Sequence, residues 1–575
     1  MAHNKKIFRR ITAPGLLGTV LLCHEHALAQ HNDAVHLAPN AQVLQAWQQG
    51  SGGGPAPVLA AQEGGGTRLE WKLGESLDAY SNDVQSAGGQ ANTPLRSGTF
   101  FRNTFRGDLR AIHADQAVDY FQLGTTHSND PAVLSQGRRQ VNNLQLGRTG
   151  PDHLLALGDI APNFSSLGSS LGARGLLGQR QFGGLTVSGF TGLVAQSWEA
   201  LENRVPRLQP VKDVHGIKLE KAWSPSLRTY VTGQGFSERE ASAALAQFLP
   251  APGRSRSASA GFAHQQGQLT LTGEMAGSRF ENGGQADRSG HAGILDATWR
   301  KGNVGLRAGY HDISTGFTSL SLAAQSGVRE AYAGADWTAG ARLTLSADLR
   351  RSRNTTLATA DLASTGMQTD ALATRAMLNF GPDHPGWSLS LQQLGERSTD
   401  LAGAHGANRD TSGTLNYSGT VWNASVGYGI GAVRSTLWPE NDSRNSKWSL
   451  SVGHSHSDGQ GMQPATWRIA TRLSATAQKQ RLQAGGEITN TSYTISMTGE
   501  RTGQGSFSLL ATGGTVARIP GGPSLRQRSL QLDASYPVGR QVGLKAYLRS
   551  AQRNIADPQL SAREKAVGLQ LTCEF

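Results

Sequence analysis

The side chains best suited to chemistry in this sequence are His454, His456 and Asp458, two imidazoles at a spacing of two with a carboxylate beyond them. On an extended chain that spacing puts both rings on one side, as a metal pair requires. Two ligands near a strand end do not complete a coordination shell, and a solvated polar strand end accounts for them more simply. Ser188 and Ser455 sit in Thr186-Val187-Ser188-Gly189-Phe190 and Gly453-His454-Ser455-His456-Ser457, and both runs miss the Gly-x-Ser-x-Gly spacing of a nucleophile elbow. A serine nucleophile also needs its histidine close in space, which adjacency in sequence does not supply. No phosphate-cradling Walker motif is present. The sequence therefore reads as that of a non-enzyme with no metal and no cofactor.

What does recur at a chemically useful spacing is positive charge. From Gly98 to Ile112, Arg102, Thr104, Arg106, Asp108 and Arg110 share one face of an extended chain, and Phe101, Phe105, Leu109 and Ala111 share the other. From Arg342 to Ser352, Arg342, Thr344, Ser346, Asp348 and Arg350 oppose Leu343, Leu345, Ala347 and Leu349. Arg468 and Arg472 oppose Trp467, Ile469 and Leu473, and Lys545, Tyr547 and Arg549 oppose Val542, Leu544, Ala546 and Leu548. Rows of cations facing water concentrate anions and filter them by field. The competing reading is structural, with Arg and Asp on neighbouring strands pairing across a wet interior and selecting nothing. Nine such cations (Arg102, Arg106, Arg110, Arg342, Arg350, Arg468, Arg472, Lys545 and Arg549) against Asp108 and Asp348 predict a partly cationic lumen.

Faces of this kind belong to strands that cross a membrane. An Arg on the lipid face at mid-membrane costs about 2 to 4 kcal/mol, so the charged faces must point inward. Composition agrees: 37% of the residues are hydrophobic and 72 of 575 are Gly, with mean hydropathy at -0.38. The dyad alternation is too regular for a solvated coil, and no run approaches the roughly 18 apolar residues of a membrane helix. The last stretch, Lys565 to Phe575, sets Val567, Leu569, Leu571, Cys573 and Phe575 opposite Gly568, Gln570, Thr572 and Glu574. An apolar-faced terminal strand ending in Phe resembles the closing strand of bacterial outer-membrane β-barrels. That resemblance implies an all-β fold, a single large antiparallel transmembrane β-barrel in outer-membrane lipid. It also implies that Leu569, Leu571 and Phe575 are the signal read by the β-barrel assembly machinery. Strands recurring every 20 residues or so from Thr67 onward give about 24 to 26 of them.

Ahead of the barrel, Lys5, Lys6, Arg9 and Arg10 precede the apolar run Leu16 to Cys23, and Ala27-Leu28-Ala29 follows, the pattern of a secretory signal peptide over residues 1–29. Its removal takes +3 of the net +12 and one of two cysteines, leaving Cys573 as a small hydrophobe on an apolar face. Residues 30–66, with Gly50 to Gly54 and Gly64 to Gly66, read as a flexible periplasmic arm, either a disordered tether with a transient helical turn or a short plug or docking peptide for a periplasmic partner. The barrel occupies 67–575. The basic pI does not indicate a nucleic-acid partner, because the cations alternate along membrane strands. Short turns such as Lys301-Gly302-Asn303 and Thr338-Ala339-Gly340 alternate with longer polar loops near 281–290, 313–328, 353–371, 396–410 and 432–445, the two-sided asymmetry of such barrels. Trp223, Trp299, Trp337, Trp387 and Trp422 adjoin the short turns, where an aromatic girdle belongs. The run Arg239 to Pro250 favours a short helix over the pore. Between about 432 and 505 strict alternation of short and long connections fails, so one strand there is miscounted.

One segment breaks the pattern. Between Leu155 and Gly184 a strand gives way to a Gly- and Ser-rich stretch before alternation resumes. Leu157-Gly158-Asp159, Phe164-Ser165-Ser166 and Arg174-Gly175 resemble the early barrel of fimbrial ushers. This stretch predicts either an inward loop that narrows the pore, with Asp159, Phe164, Arg174 and Arg180 as constriction or plug residues, or a surface loop or bulged strand rounding a wide barrel. The expected function is an outer-membrane channel passing a hydrophilic solute or polymer through a partly cationic, plugged lumen. An usher-like secretion pore that needs a partner and a structural or adhesive surface barrel are the alternatives.

Overall fold

The computed structural model describes residues 67–86, 96–131, 133–134, 138–168, 172–195, 197–201, 211–239, 252–282, 285–320, 326–355, 366–436, 439, 442–458, 467–483, 485–519, 524–555 and 561–575. The leader, the arm 30–66 and the loop helix expected after Arg239 lie outside these residues. Among the described residues there are 26 strands. The first nine are β1 Arg68–Ser86, β2 Gly98–Ile112, β3 Val118–Ser128, β4 Arg139–Thr149, β5 His153–Ile160, β6 Ala173–Phe182, β7 Leu185–Val194, β8 Lys212–Ser224 and β9 Leu227–Glu238. Next come β10 Gly253–Gln266, β11 Leu269–Asn282, β12 Gln285–Lys301, β13 Val304–Ile313, β14 Val328–Ala339, β15 Leu343–Thr355, β16 Gly366–Asn379, β17 Trp387–Asp400 and β18 His405–Ser418. The chain finishes with β19 Trp422–Ser435, β20 Ser443–Ser457, β21 Trp467–Leu482, β22 Glu487–Arg501, β23 Gly505–Ile519, β24 Leu525–Pro537, β25 Val542–Ile555 and β26 Ala562–Glu574. A single helical turn, α1, spans Trp198–Leu201.

Each strand pairs antiparallel with the next, and β26 returns to β1 from Gly74↔Glu574 to Ser86↔Ala562. The closing bonds are completed by Phe575, whose N–H donates to the Leu73 carbonyl at 2.8 Å and whose carbonyl accepts from Leu73 N–H at 3.0 Å. A sheet closed in this way leaves no edge in hydrocarbon, which is what lets strands cross a bilayer. Register keeps the apolar faces continuous around the wall, as in Trp71↔Leu109, Leu109↔Phe121 and Phe121↔Leu146. These side chains point outward and stay bare. Leu69 is 64% exposed and Met275 76% exposed, the inverse of a soluble core and the expected face toward lipid. Trp223, Trp337, Trp387 and Trp422 are exposed on this outer face beside the short turns, as an aromatic girdle requires. Gly302 and Gly340 hold those turns at φ of 55° and 64°, a conformation that L side chains resist.

The connections depart from expectation in three places. Residues 281–290 and 396–410 are strand for most of their length, since β11 and β12 approach to Asn282 and Gln285, and β17 and β18 to Asp400 and His405. Pairs such as Arg279–Asp287 at 2.9 Å show why polar sequence there is compatible with a hairpin standing clear of the membrane. The miscounted strand is also explained. At the short-turn end the connection 458–466 is long, and at the long-loop end the connection 483–486 is short, so loop length misreads the side. Cys573 lies on the outward face beside Val542 but is only 1% exposed, so it is not bare toward lipid as expected. Leu571 and Cys573 are buried with Val542, Leu544 and Phe575 around them.

A polar network braces the closing seam from inside. Asp78, 5% exposed, accepts from Arg102 Nη2 at 3.2 Å and Tyr547 Oη at 3.0 Å, and Gln570 Nε2 donates to Ser76 Oγ at 2.8 Å. Removing the shared acceptor would strand two donors. Asp78→Ala is expected to cost about 1 to 3 kcal/mol, read as a lower urea midpoint of the refolded barrel, with Leu77→Ala as the outward-facing control.

Candidate functional site: the barrel lumen

Alternation that sends apolar side chains outward sends their neighbours inward, and the lumen wall so formed has two sectors. From β14 round through β26 to β3 the inward positions are mainly polar and paired. Lys545 meets Asp533 at 3.0 Å, Arg110 meets Asp108 at 3.0 Å, and Arg350 bonds to Glu330. On neighbouring β12 to β15, Arg307 bridges Asp336 and Asp348, and Asp296 accepts from Tyr332 Oη at 2.6 Å with His311 Nε2 at 2.9 Å. These are short-range pairs within one strand or between strands one or two apart, in a wet interior where each stabilises modestly.

Every predicted lumen cation on a strand lies at an inward position, but its charge is balanced to differing extents. Arg102, Arg110, Arg350 and Lys545 meet carboxylates. Arg472 Nε donates to Ser451 Oγ at 3.0 Å, Arg549 lies over the Tyr547 ring at 4.9 Å, and Arg468 stands in register with Glu500. Arg342 sits in the turn before β15. Arg106 is exposed and flanked in register by Gly74 and Gly124, so its guanidinium has open space on both sides. His454 and His456 point outward, with the His454 ring 4.5 Å from that of Trp422, while Asp458 accepts from Trp467 N–H at 2.8 Å.

The second sector, centred on β5 to β9, carries an apolar, covered cluster. Inward-facing Leu154, Ala156, Ile160, Ala173, Leu177, Phe190, Val214 and Phe236 form a buried cluster with Phe164 and Leu320. Phe164 comes from the connection after β5, and its ring lies 5.1 Å from Phe190 at a T-shaped angle. Its neighbours reach further round the wall to β11, where Ser165 Oγ donates to Glu274 Oε1 at 2.6 Å and Leu167 N–H donates to Oε2 at 3.1 Å. Glu274 is only 3% exposed, so its buried oxygens need both bonds. Leu167 then packs with Ala292, Ile313 and Phe317, the last from the connection after β13. Gly290 permits that approach, because a Cβ there would fall 2.1 Å from Phe317 N. Each large apolar side chain so buried contributes about 1.5 to 3 kcal/mol toward holding these segments inward.

The inward segment expected near 163–183 is therefore present in its first part, but its charged members are not in the lumen. Ile160, Leu177 and Gly175 face inward, so by alternation Asp159, Arg174 and Arg180 face outward. Asp159 and Arg174 pair at 3.3 Å, and Arg180 reaches Asp152 at 3.0 Å beside the short turn. The strands continue through this region, and strand alternation fixes the side where a loop would have left it free. Glu274 and the segment 314–320 were not singled out from sequence. Glu274 was detectable only as a lone acid at an inward position of β11.

No protein-family model and no curated protein matches the chain. Similar solved structures include the Escherichia coli P pilus tip assembly intermediate PapC-PapD-PapK-PapG, at 12% identity over 86% of this chain and TM-score 0.46. The copper transporter OprC is 12% identical over 88% of this chain and 83% of its own, with TM-score 0.38. The siderophore receptor PirA from Pseudomonas aeruginosa is 11% identical over 74% of this chain and 88% of its own, with TM-score 0.33. The chain spans 60% of the length of the first of these, and all three superpose loosely. The likeness is one of barrel architecture.

Glu274→Ala is expected to free the segment from Phe164 to Leu167, raising hydrogen exchange of its amides about tenfold or more while β20 to β24 stay unchanged. Phe164→Ala is expected to cost about 3 to 5 kcal/mol in unfolding free energy through the cavity it leaves.

Proposed function

We propose that this protein is an outer-membrane channel that passes hydrophilic solutes through its polar sector, with the apolar sector narrowed by its inward segments. The observation that supports this reading most directly is the mainly polar set of inward side chains from β14 round to β3, inside a wall whose outer face is apolar. A charge-lined face turned away from lipid accommodates water and hydrophilic solutes. Most of the predicted lumen cations are neutralised or engaged locally, so anion preference is modest and rests on Arg106 together with inward Arg375 and Lys447, with Arg472 and Arg549 adding to it. A leader over 1–29 exports the chain, the terminal strand ending at Phe575 is handed to the assembly machinery, and the long-loop end faces outside.

A second reading, a pore held shut until a periplasmic partner docks on residues 30–66, draws support from the Glu274 latch on the inward segment. Conductance of the full chain in a planar bilayer separates the two. The channel reading expects steady conductance with weak anion selectivity that falls toward unity in Arg106→Ala, and a larger conductance in Glu274→Ala. Silence in the folded wild type that Glu274→Ala relieves would replace it with the partner-gated reading, and silence in both would overturn the channel altogether.

A further inference from the structure

The barrel wall is incomplete between β4 and β5. On one side β3 and β4 pair out to His127↔Arg139, and on the other β5 and β6 pair from His153↔Arg180 to Ile160↔Ala173. Between them β4 and β5 share only Gln145↔Gly158 to Thr149↔Leu154, the shortest ladder among the described residues. Among the described residues, the edge of β4 from Leu144 toward the long-loop end has no strand beside it. The opening begins midway along β4, next to outward-facing Leu146 and Leu157, and so lies at the depth of the membrane. Lipid offers nothing to bare backbone donors there.

A register shift makes the difficulty specific. The pairing slips between Gly124 and Thr125, with Asn142 as the extra residue, so the N–H groups of Val141 and Leu144 both face the open edge. Two carboxylates stand in for the missing strand. Glu199 Oε1 accepts from Val141 N–H at 2.7 Å, and Asp159 Oδ2 accepts from Leu144 N–H at 2.7 Å. Glu199 is carried by α1, whose first turn is capped by Ser197 Oγ accepting from Ala200 N–H at 3.1 Å. The turn is clamped over the split: Trp198 Nε1 donates to Asp159 Oδ2 at 3.0 Å, and Arg174 lies 5.4 Å from the centre of the Trp198 ring while donating to the Ala195 carbonyl at 2.7 Å. The seal is imperfect, because the second oxygen of Glu199 is buried without a hydrogen-bond partner. A buried anionic oxygen left in that state opposes closure.

Directly inside the split lies the apolar sector. Ile160, Phe164 and Leu177 flank it on the β5 side, and Asn143 and Gln145 occupy the inward positions on the β4 side. We propose that the β4–β5 split is a lateral gate, closed by the strap Ser197–Leu201, through which an amphiphilic small molecule with an apolar body passes between the lumen and the surrounding lipid. The strap's own contacts give the closed state, and its displacement opens a path apolar on one flank and amide-lined on the other.

The test uses the full-length protein in lipid nanodiscs, with folding verified by heat-modifiable gel mobility, and compares wild type with the double variant Asp159→Asn, Glu199→Gln. Loosening the clamp is expected to raise hydrogen exchange in the Arg139–Thr149 peptide about tenfold, with β20 to β24 unchanged. A diazirine-bearing fatty acid dissolved in the nanodisc lipid is expected to crosslink to inward Ile160, Phe164 and Leu177 in the wild type, and several-fold more in the variant. Unchanged exchange would show that the strap does not close the split. Faster exchange with crosslinks confined to outward residues such as Leu155 and Leu157 would show a seal and not a gate. Neither readout depends on ion conductance, so the gate can fail while the channel stands, and the reverse.

Discussion

In hydrocarbon every backbone donor and acceptor must find its partner inside the protein, and that demand shapes the whole molecule. It is why β26 returns to β1 and why Phe575 exchanges bonds with Leu73 at the last residue. The same demand explains how the wall is completed where the β4–β5 ladder, the shortest among the described residues, stops short. Where β5 leaves β4, the donors of Val141 and Leu144 are met by side-chain carboxylates delivered from the next hairpins. The wall tolerates a gap only because something else completes its bonding.

A lipid-facing exterior inverts the usual distribution of apolar surface, and the interior has to be organised by other means. In the polar sector that means charge pairs between neighbouring strands, such as Lys545 with Asp533 and Arg307 with Asp336 and Asp348. In the apolar sector it means chain folded back against the wall. A 26-stranded barrel encloses far more space than its own side chains can fill, and the inward segments around Phe164 and Phe317 give part of that wall a core of its own. Glu274 links these two kinds of organisation, since a buried carboxylate on the wall fixes the position of an otherwise apolar segment.

How far the site could be read from sequence depended on whether a residue's neighbours are near in the chain. The inward direction of Arg102, Arg106 and Arg110 follows from alternation with Phe101, Phe105 and Leu109, all within one strand. Their electrostatic state does not follow, because Asp78, which neutralises Arg102, lies on another strand, and its register was not evident in either run. Loop length was a poor guide to sidedness at 458–466 and 483–486 because hairpins extend beyond the membrane by differing amounts. Composition likewise marked 155–184 as unusual without showing which of its residues turn inward.

The period-two pattern alone determined the class of the fold, the two faces of each strand and the approximate strand number, because those properties depend only on local alternation and on the cost of charge in lipid. Only the tertiary structure decided that Phe164 is buried in the lumen while Asp159 and Arg174 face out, that Glu274 holds the inward segment, and that the wall parts between β4 and β5. Those outcomes depend on contacts between segments far apart in sequence, between the connection after β5 and β11 for the latch and between β4 and α1 for the strap. Such contacts are set by register and closure of the whole sheet, which no single stretch of the chain encodes.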